Sequence, residues 1–279
     1  MTSAHDVYYV PSPSKWPIVG SVALFLLATG FISLLHVGRT PGLTLLAAGF
    51  AVLTYMLFGW FGNVISESQG GKYNAQVDGS FRWAMGWFIF SEVMFFAAFF
   101  GALFYARQMS VPLLGDVDNT LLWPGFKPDW PTEGPYLTSP FHPMAAWGIP
   151  AINTLILLTS GITVTWAHWA LKQNNRQQLI MGLAATVALG ITFLFLQIHE
   201  YGEAAFSLST GVYGATFFML TGFHGFHVTL GTLMLIVILG RSAKGHFTPE
   251  HHFAFEAVSW YWHFVDVVWL GLFVFVYWL

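Results

Sequence analysis

Seven stretches of this chain are apolar over lengths that fit a bilayer rather than a globular core. They run over residues 16–35, 43–65, 81–106, 147–171, 179–206, 212–239 and 253–279. A helix rises ~1.5 Å per residue, so about 20 residues cross the ~30 Å hydrocarbon layer. Lipid offers the backbone no hydrogen-bond partner, and a helix satisfies its amides internally. The pattern therefore predicts an all-α integral membrane bundle of seven transmembrane helices in a single membrane domain over 1–279. Pro17 and Pro150 fall where two of these helices begin, in first-turn positions that tolerate proline. The connection over 107–146 carries seven of the 13 prolines and predicts an ordered, turn-rich outer loop.

Composition narrows the function classes. Residues are 56% hydrophobic and 8% charged, against about 25% charged in a soluble domain. A net charge of -3 gives no basis for a nucleic-acid partner. With 0 Cys, disulfides, iron–sulfur clusters, thiolate-ligated haem and nucleophilic cysteine are excluded. The first 17 residues lack both a basic start and a small-residue cleavage site, so they are expected to be retained. A cytoplasmic N-terminus puts Lys15, Lys72, Arg82, Lys172, Arg176, Arg241 and Lys244 inside, and only Arg39, Arg107 and Lys127 outside. That orientation obeys the positive-inside rule and leaves the C-terminus outside.

The third run, FRWAMGWFIFSEVMFFAAFFGALF at residues 81–104, carries one carboxylate, Glu92, at its centre. A carboxylate near the midplane costs several kcal/mol unless it is protonated, paired or turned toward the bundle interior. Hydrogen bonding to a neighbouring helix and a role in proton or lipid handling both fit. The last run places Glu256, Ser259, His263 and Asp266 on one helical stripe, which must face protein. The sixth adds His224 and His227, and the fifth adds Gln197, His199, Glu200 and Glu203.

Three readings fit this intramembrane polar set. His224, His227, His263 and Asp266, joined by Glu200 or Glu256, have the donor types of a metal or haem site. Glu92, Glu200, Glu256 and Asp266 have the chemistry of a proton path. Structural pairing inside a subunit that serves another chain is the third. Arg82 and Arg241 lie at headgroup depth and, with Trp60 and Phe61, suit either lipid contact or an ordinary interfacial belt.

Several segments together carry a family likeness: SEVMFF at 91–96, INTLILLTSG at 152–161, TGFHGFHV at 221–228 and WYWHFVDVVWL at 260–270, with WP at 16–17 and FGW at 58–60. In this order they resemble subunit III of the haem-copper (aa3-type) cytochrome c oxidases over nearly the whole chain. The resemblance implies helices one and two splayed from helices three to seven, with phospholipid in a V-shaped cleft between them. It also implies lipid contact at Trp60, Phe61, Glu67, Arg82, Phe88 and Arg241, and makes Glu92 the buried carboxylate.

The chain itself would hold no metal, haem or catalytic residue. Haem a, haem a3, CuA and CuB belong to the partner subunits I and II, and cytochrome c is the electron donor. The implied role is support of subunit I, of proton uptake and of O2 access, with His5 and Asp6 as surface proton collectors. The expected location is an energy-transducing membrane, the bacterial inner membrane in the absence of an import signal. Competing expectations are a stand-alone transporter or channel, a self-contained metalloprotein, and the shorter five-helix relatives in quinol oxidases or nitric oxide reductases.

Overall fold

The computed structural model of the chain describes residues 8–136 and 142–279. Among these, seven helices are long and apolar enough to cross a membrane: α1 Trp16–His36, α2 Arg39–Gln69, α3 Ala75–Tyr105, α4 Ile149–Lys172, α5 Arg176–Glu203, α6 Gly211–Ala243 and α7 Phe253–Leu272. No strand occurs among the described residues. The chain divides into two compact units, one ending at Phe81 and the other beginning at Arg82.

In the first unit, α1 and α2 form an antiparallel hairpin joined by Val37 and Gly38. Its buried positions recur at every seventh residue: Trp16, Ala23 and Gly30 on α1, then Gly42, Gly49 and Met56 on α2. A seven-residue repeat keeps one seam facing its partner along a left-handed supercoil. Small residues on that seam let the backbones approach closely, the main source of helix association in lipid. At Gly42 and Gly30 the facing atoms belong to the backbones of Leu34 and Leu46. The hairpin's outer surface, including Phe25, Phe31, Phe50 and Phe58, is exposed, as lipid-facing side chains should be.

In the second unit, over a membrane-length stretch of 18 residues, 39% of positions are buried in each of α4, α5 and α6 and 44% in the span that α7 opens, against only 11% in the span that α3 opens. The packed core is therefore the last four helices, and α3 keeps most of its surface free. Trp262 of α7 stands at the centre of that core, fully buried. Its Nε1 donates to Ser160 Oγ on α4 at 2.8 Å, and its ring lies against Gly190 of α5 and Gly231 of α6. One side chain thus touches all three other core helices. Trp269 repeats the theme one level along, donating to Thr154 Oγ1 at 2.9 Å.

Helix ends extend beyond the apolar runs because they are set by local stop signals rather than by hydropathy. α2 continues to Gln69, past Ser66, Glu67 and Ser68, until Gly70 and the left-handed Gly71 (φ 68°) end it. α4 passes to α5 through Asn174 in the left-handed region (φ 56°) and Asn175, whose side chain accepts from Gln178 N at 3.1 Å. The expected outer loop also begins later than residue 107. α3 runs on through a π-helical turn, Ala106–Ser110, into Val111–Leu114, where Pro112 occupies a first-turn position. Farther along, the loop is pinned to α6, with Met144 N donating to the Tyr213 hydroxyl at 3.3 Å.

Candidate functional site

Glu92 lies midway along α3, and its Oε2 is 2.9 Å from His227 Nε2 on α6. The other imidazole nitrogen, Nδ1, is 2.6 Å from the Phe223 carbonyl oxygen. A carbonyl only accepts, so Nδ1 carries a hydrogen. One further proton, on either Nε2 or the carboxyl oxygen, would make the pair net neutral. Phe95, Phe96 and Tyr261 pack around the imidazole. The demand that a midplane carboxylate be neutral or paired is met by a neighbouring helix. Glu92→Gln is expected to keep the contact, because the amide can donate to the bare Nε2. Glu92→Leu strands that nitrogen in an apolar site and should cost about 1–2 kcal/mol. Heat-induced release of the chain from its complex should separate the two variants.

The remaining polar residues occupy separate places rather than one continuous chain. His224 Nε2 donates to the Val265 carbonyl at 3.1 Å, its ring between Phe193 and Trp269. His263 Nδ1 lies 3.6 Å from Asp266 Oδ2 on the same helix, beside a groove lined by Leu158, Ile162, Trp166 and Trp169. Glu200 is buried near Gln197 and the Tyr277 hydroxyl. His199 pairs with Glu203 on an exposed face at 3.6 Å. Glu256 is bound to Arg82 through Oε2. Its other oxygen, Oε1, lies 3.3 Å from His252 Nε2 and 3.7 Å from His168 Nε2.

The donor atoms that converge are thus not the set weighed from sequence. His227 uses both ring nitrogens, on the Phe223 carbonyl and Glu92, and His224 uses Nε2 on the Val265 carbonyl, so neither joins His263 and Asp266 in a donor cluster among the described residues. His168, His252 and Glu256 are brought together instead, all three donors lying within 4.8 Å of one another. One local signal for this group was available, the His-x-x-x-Glu spacing of HFAFE at 252–256. Nothing local points to His168, which packing alone delivers from α4.

The residues singled out for lipid contact fall in both units. In the first, Trp60 and Phe61 are exposed with stacked rings 6.0 Å apart. Glu67 accepts hydrogen bonds from Tyr9 at 3.1 Å and Tyr73 at 2.8 Å. Burial, then the bond to Glu67, holds the Tyr73 phenol well above its ordinary range, so it stays a donor. In the second unit, exposed Phe88 stacks on Tyr261 at 6.3 Å. Arg241, in the last turn of α6, lies over the Phe247 ring at 4.5 Å, and its Nε is buried without a hydrogen-bond partner. Next to it His246 has its pKa lowered, by burial first and then by the charges of Arg241 and Lys244. His5 and Asp6 lie outside the described residues.

Seven helices long and apolar enough to cross a membrane, with ionisable side chains placed among them, define a polytopic membrane protein. The family model for cytochrome c oxidase subunit III matches residues 5–279. Across 279 residues the chain is 42% identical to the cytochrome c oxidase subunit 3 of Madoqua guentheri and of Antilope cervicapra, and 41% identical to that of Pelea capreolus. Each alignment covers 100% of this chain and 99% of the relative. The chain belongs to the cytochrome c oxidase subunit III family. It is accordingly a subunit of the multi-subunit oxidase of the respiratory chain, and the family is that of a non-metal subunit.

Proposed function

We propose that this chain is the non-redox subunit of a proton-pumping cytochrome c oxidase, where it braces subunit I, supports proton uptake and O2 access, and holds phospholipid. The full-length family match carries this reading. Haem a, haem a3, CuA and CuB are assigned to subunits I and II, and cytochrome c delivers the electrons to that complex. The N-terminus is placed on the inner face and the C-terminus outside, in keeping with the distribution of Lys and Arg.

The lipid role is supported by the chemistry at the ends of α3 and α6. Arg241 presents a guanidinium stacked on Phe247 with an unsatisfied Nε, a donor suited to a phosphate oxygen. Arg82, partly exposed behind its contact with Glu256, supplies a second positive charge. Trp60, Phe61 and Phe88 present exposed aromatic surface to acyl chains and headgroups. The Arg241→Ala oxidase should be purified and its phospholipid phosphorus compared with that of the unaltered complex. The expected result is loss of at least one tightly held phospholipid and a shorter working life during turnover. Unchanged phospholipid content would remove Arg241 from this role.

A further inference from the structure

We propose that His168, His252 and Glu256 form an exchangeable binding site for a divalent cation of zinc type. The three donors come from near the C-terminal end of α4, the residue preceding α7 and the first turn of α7. Tetrahedral zinc holds nitrogen and oxygen ligands at roughly 2.0–2.2 Å, which puts neighbouring donors about 3.3–3.5 Å apart. Here the carboxylate oxygen stands 3.3 Å and 3.7 Å from the two imidazole nitrogens. These two spacings are close to those of a shell around a cation, and the two imidazole nitrogens, within 4.8 Å of each other, would draw together to complete it.

The hydrogen-bond pattern makes the case independently of the spacing. His252 Nδ1 lies 3.1 Å from the Thr248 carbonyl oxygen, which can only accept. Nδ1 therefore carries the hydrogen, and in the neutral ring Nε2 offers a lone pair. That Nε2 is buried, makes no hydrogen bond, and points toward the carboxylate, with a side chain only 7% exposed. His168 Nε2 is likewise buried without a hydrogen bond and faces the same oxygen. Two imidazole nitrogens and a carboxylate oxygen turned on one point are what a cation would satisfy.

The outer contacts have the form that metal ligands use. A backbone carbonyl orients His252, and Arg82 occupies the second oxygen of Glu256, leaving Oε1 directed inward. Imidazole and carboxylate suit zinc, and water completes a His2Glu set. The charges of Arg82 and Lys172 both act on His168 and oppose a cation, so the site should load and unload rather than hold a permanent ion.

Zinc content of the intact oxidase tests this. The complex is stripped with chelator, equilibrated with Zn2+, desalted and assayed for metal, with His168→Asn and His252→Asn complexes treated alike. Zinc elsewhere in the assembly contributes equally to all three. The unaltered oxidase is expected to retain one zinc more than either variant, and equal contents would overturn the proposal. Should the variants fail to assemble, anomalous scattering from zinc-soaked crystals of the unaltered oxidase decides. A peak within about 2.2 Å of all three donors is the expected result. Its absence at this position means that the three groups merely share protons, and the site is refuted.

Discussion

Replacing Trp262 with alanine is expected to release this subunit from the oxidase at markedly lower temperature, the largest effect of any single substitution considered. The indole is fully buried and fills the space between Gly190 and Gly231, positions where even a methyl group would meet its ring at 2.9 Å and 2.8 Å. Removing it leaves a cavity the size of a bicyclic ring among four helices that cannot all close on it. Truncations of this kind cost about 3–5 kcal/mol. Trp262→Phe keeps much of the contact and loses chiefly the bond to Ser160, so about 1 kcal/mol is expected. Thermal release of the chain from purified oxidase should rank the three proteins in that order. Equal release temperatures for the alanine variant and the parent would show that the core repacks.

Gly42→Leu should weaken the first hairpin almost as strongly, by a different mechanism. A Cβ at this position would sit 2.5 Å from both the Cα and the backbone N of Leu34. Backbone atoms have no rotamer to which they can retreat, so α1 and α2 must part. Overpacking costs about 1–3 kcal/mol, and the upper end is expected where a main chain is struck. Gly62, on the same helix, has nothing within 4 Å of its added Cβ and serves as the control. Gly62→Leu should leave the complex unchanged in mild detergent, whereas Gly42→Leu should lose the subunit at a lower detergent concentration. Identical behaviour of the two would mean that the seam does not hold the hairpin together.

How much of this was legible beforehand follows from which forces act locally. The seven spans were readable because lipid demands apolar side chains over a fixed length, a constraint each run meets on its own. Helix ends were less so: Gly70 and Gly71, and the pair Asn174 and Asn175, stop helices outside the apolar runs that hydropathy marks. The seam through Ala23, Gly30, Gly42 and Gly49 lay open in the spacing but is masked by the uniform hydrophobicity around it. That Glu92 required a proton, a partner or a place facing the bundle interior was evident from its depth alone. Its partner, His227, was not, because the choice depends on which face of α6 meets α3. The gathering of His168 with His252 and Glu256 is the extreme case, since residues distant in sequence become neighbours only through the packing of α4 on α7.

The pairing of Glu92 with His227 across two helices has an electrical corollary. A lone ionised acid at mid-depth would feel the transmembrane voltage, which is worth ~2.3 kcal/mol per 100 mV for a full charge crossing. A proton passed across the 2.9 Å contact would travel only about 1 Å of the ~30 Å span, coupling to that voltage by roughly 0.1 kcal/mol per 100 mV. A field across the membrane would therefore hardly bias which of the two atoms such a proton occupied.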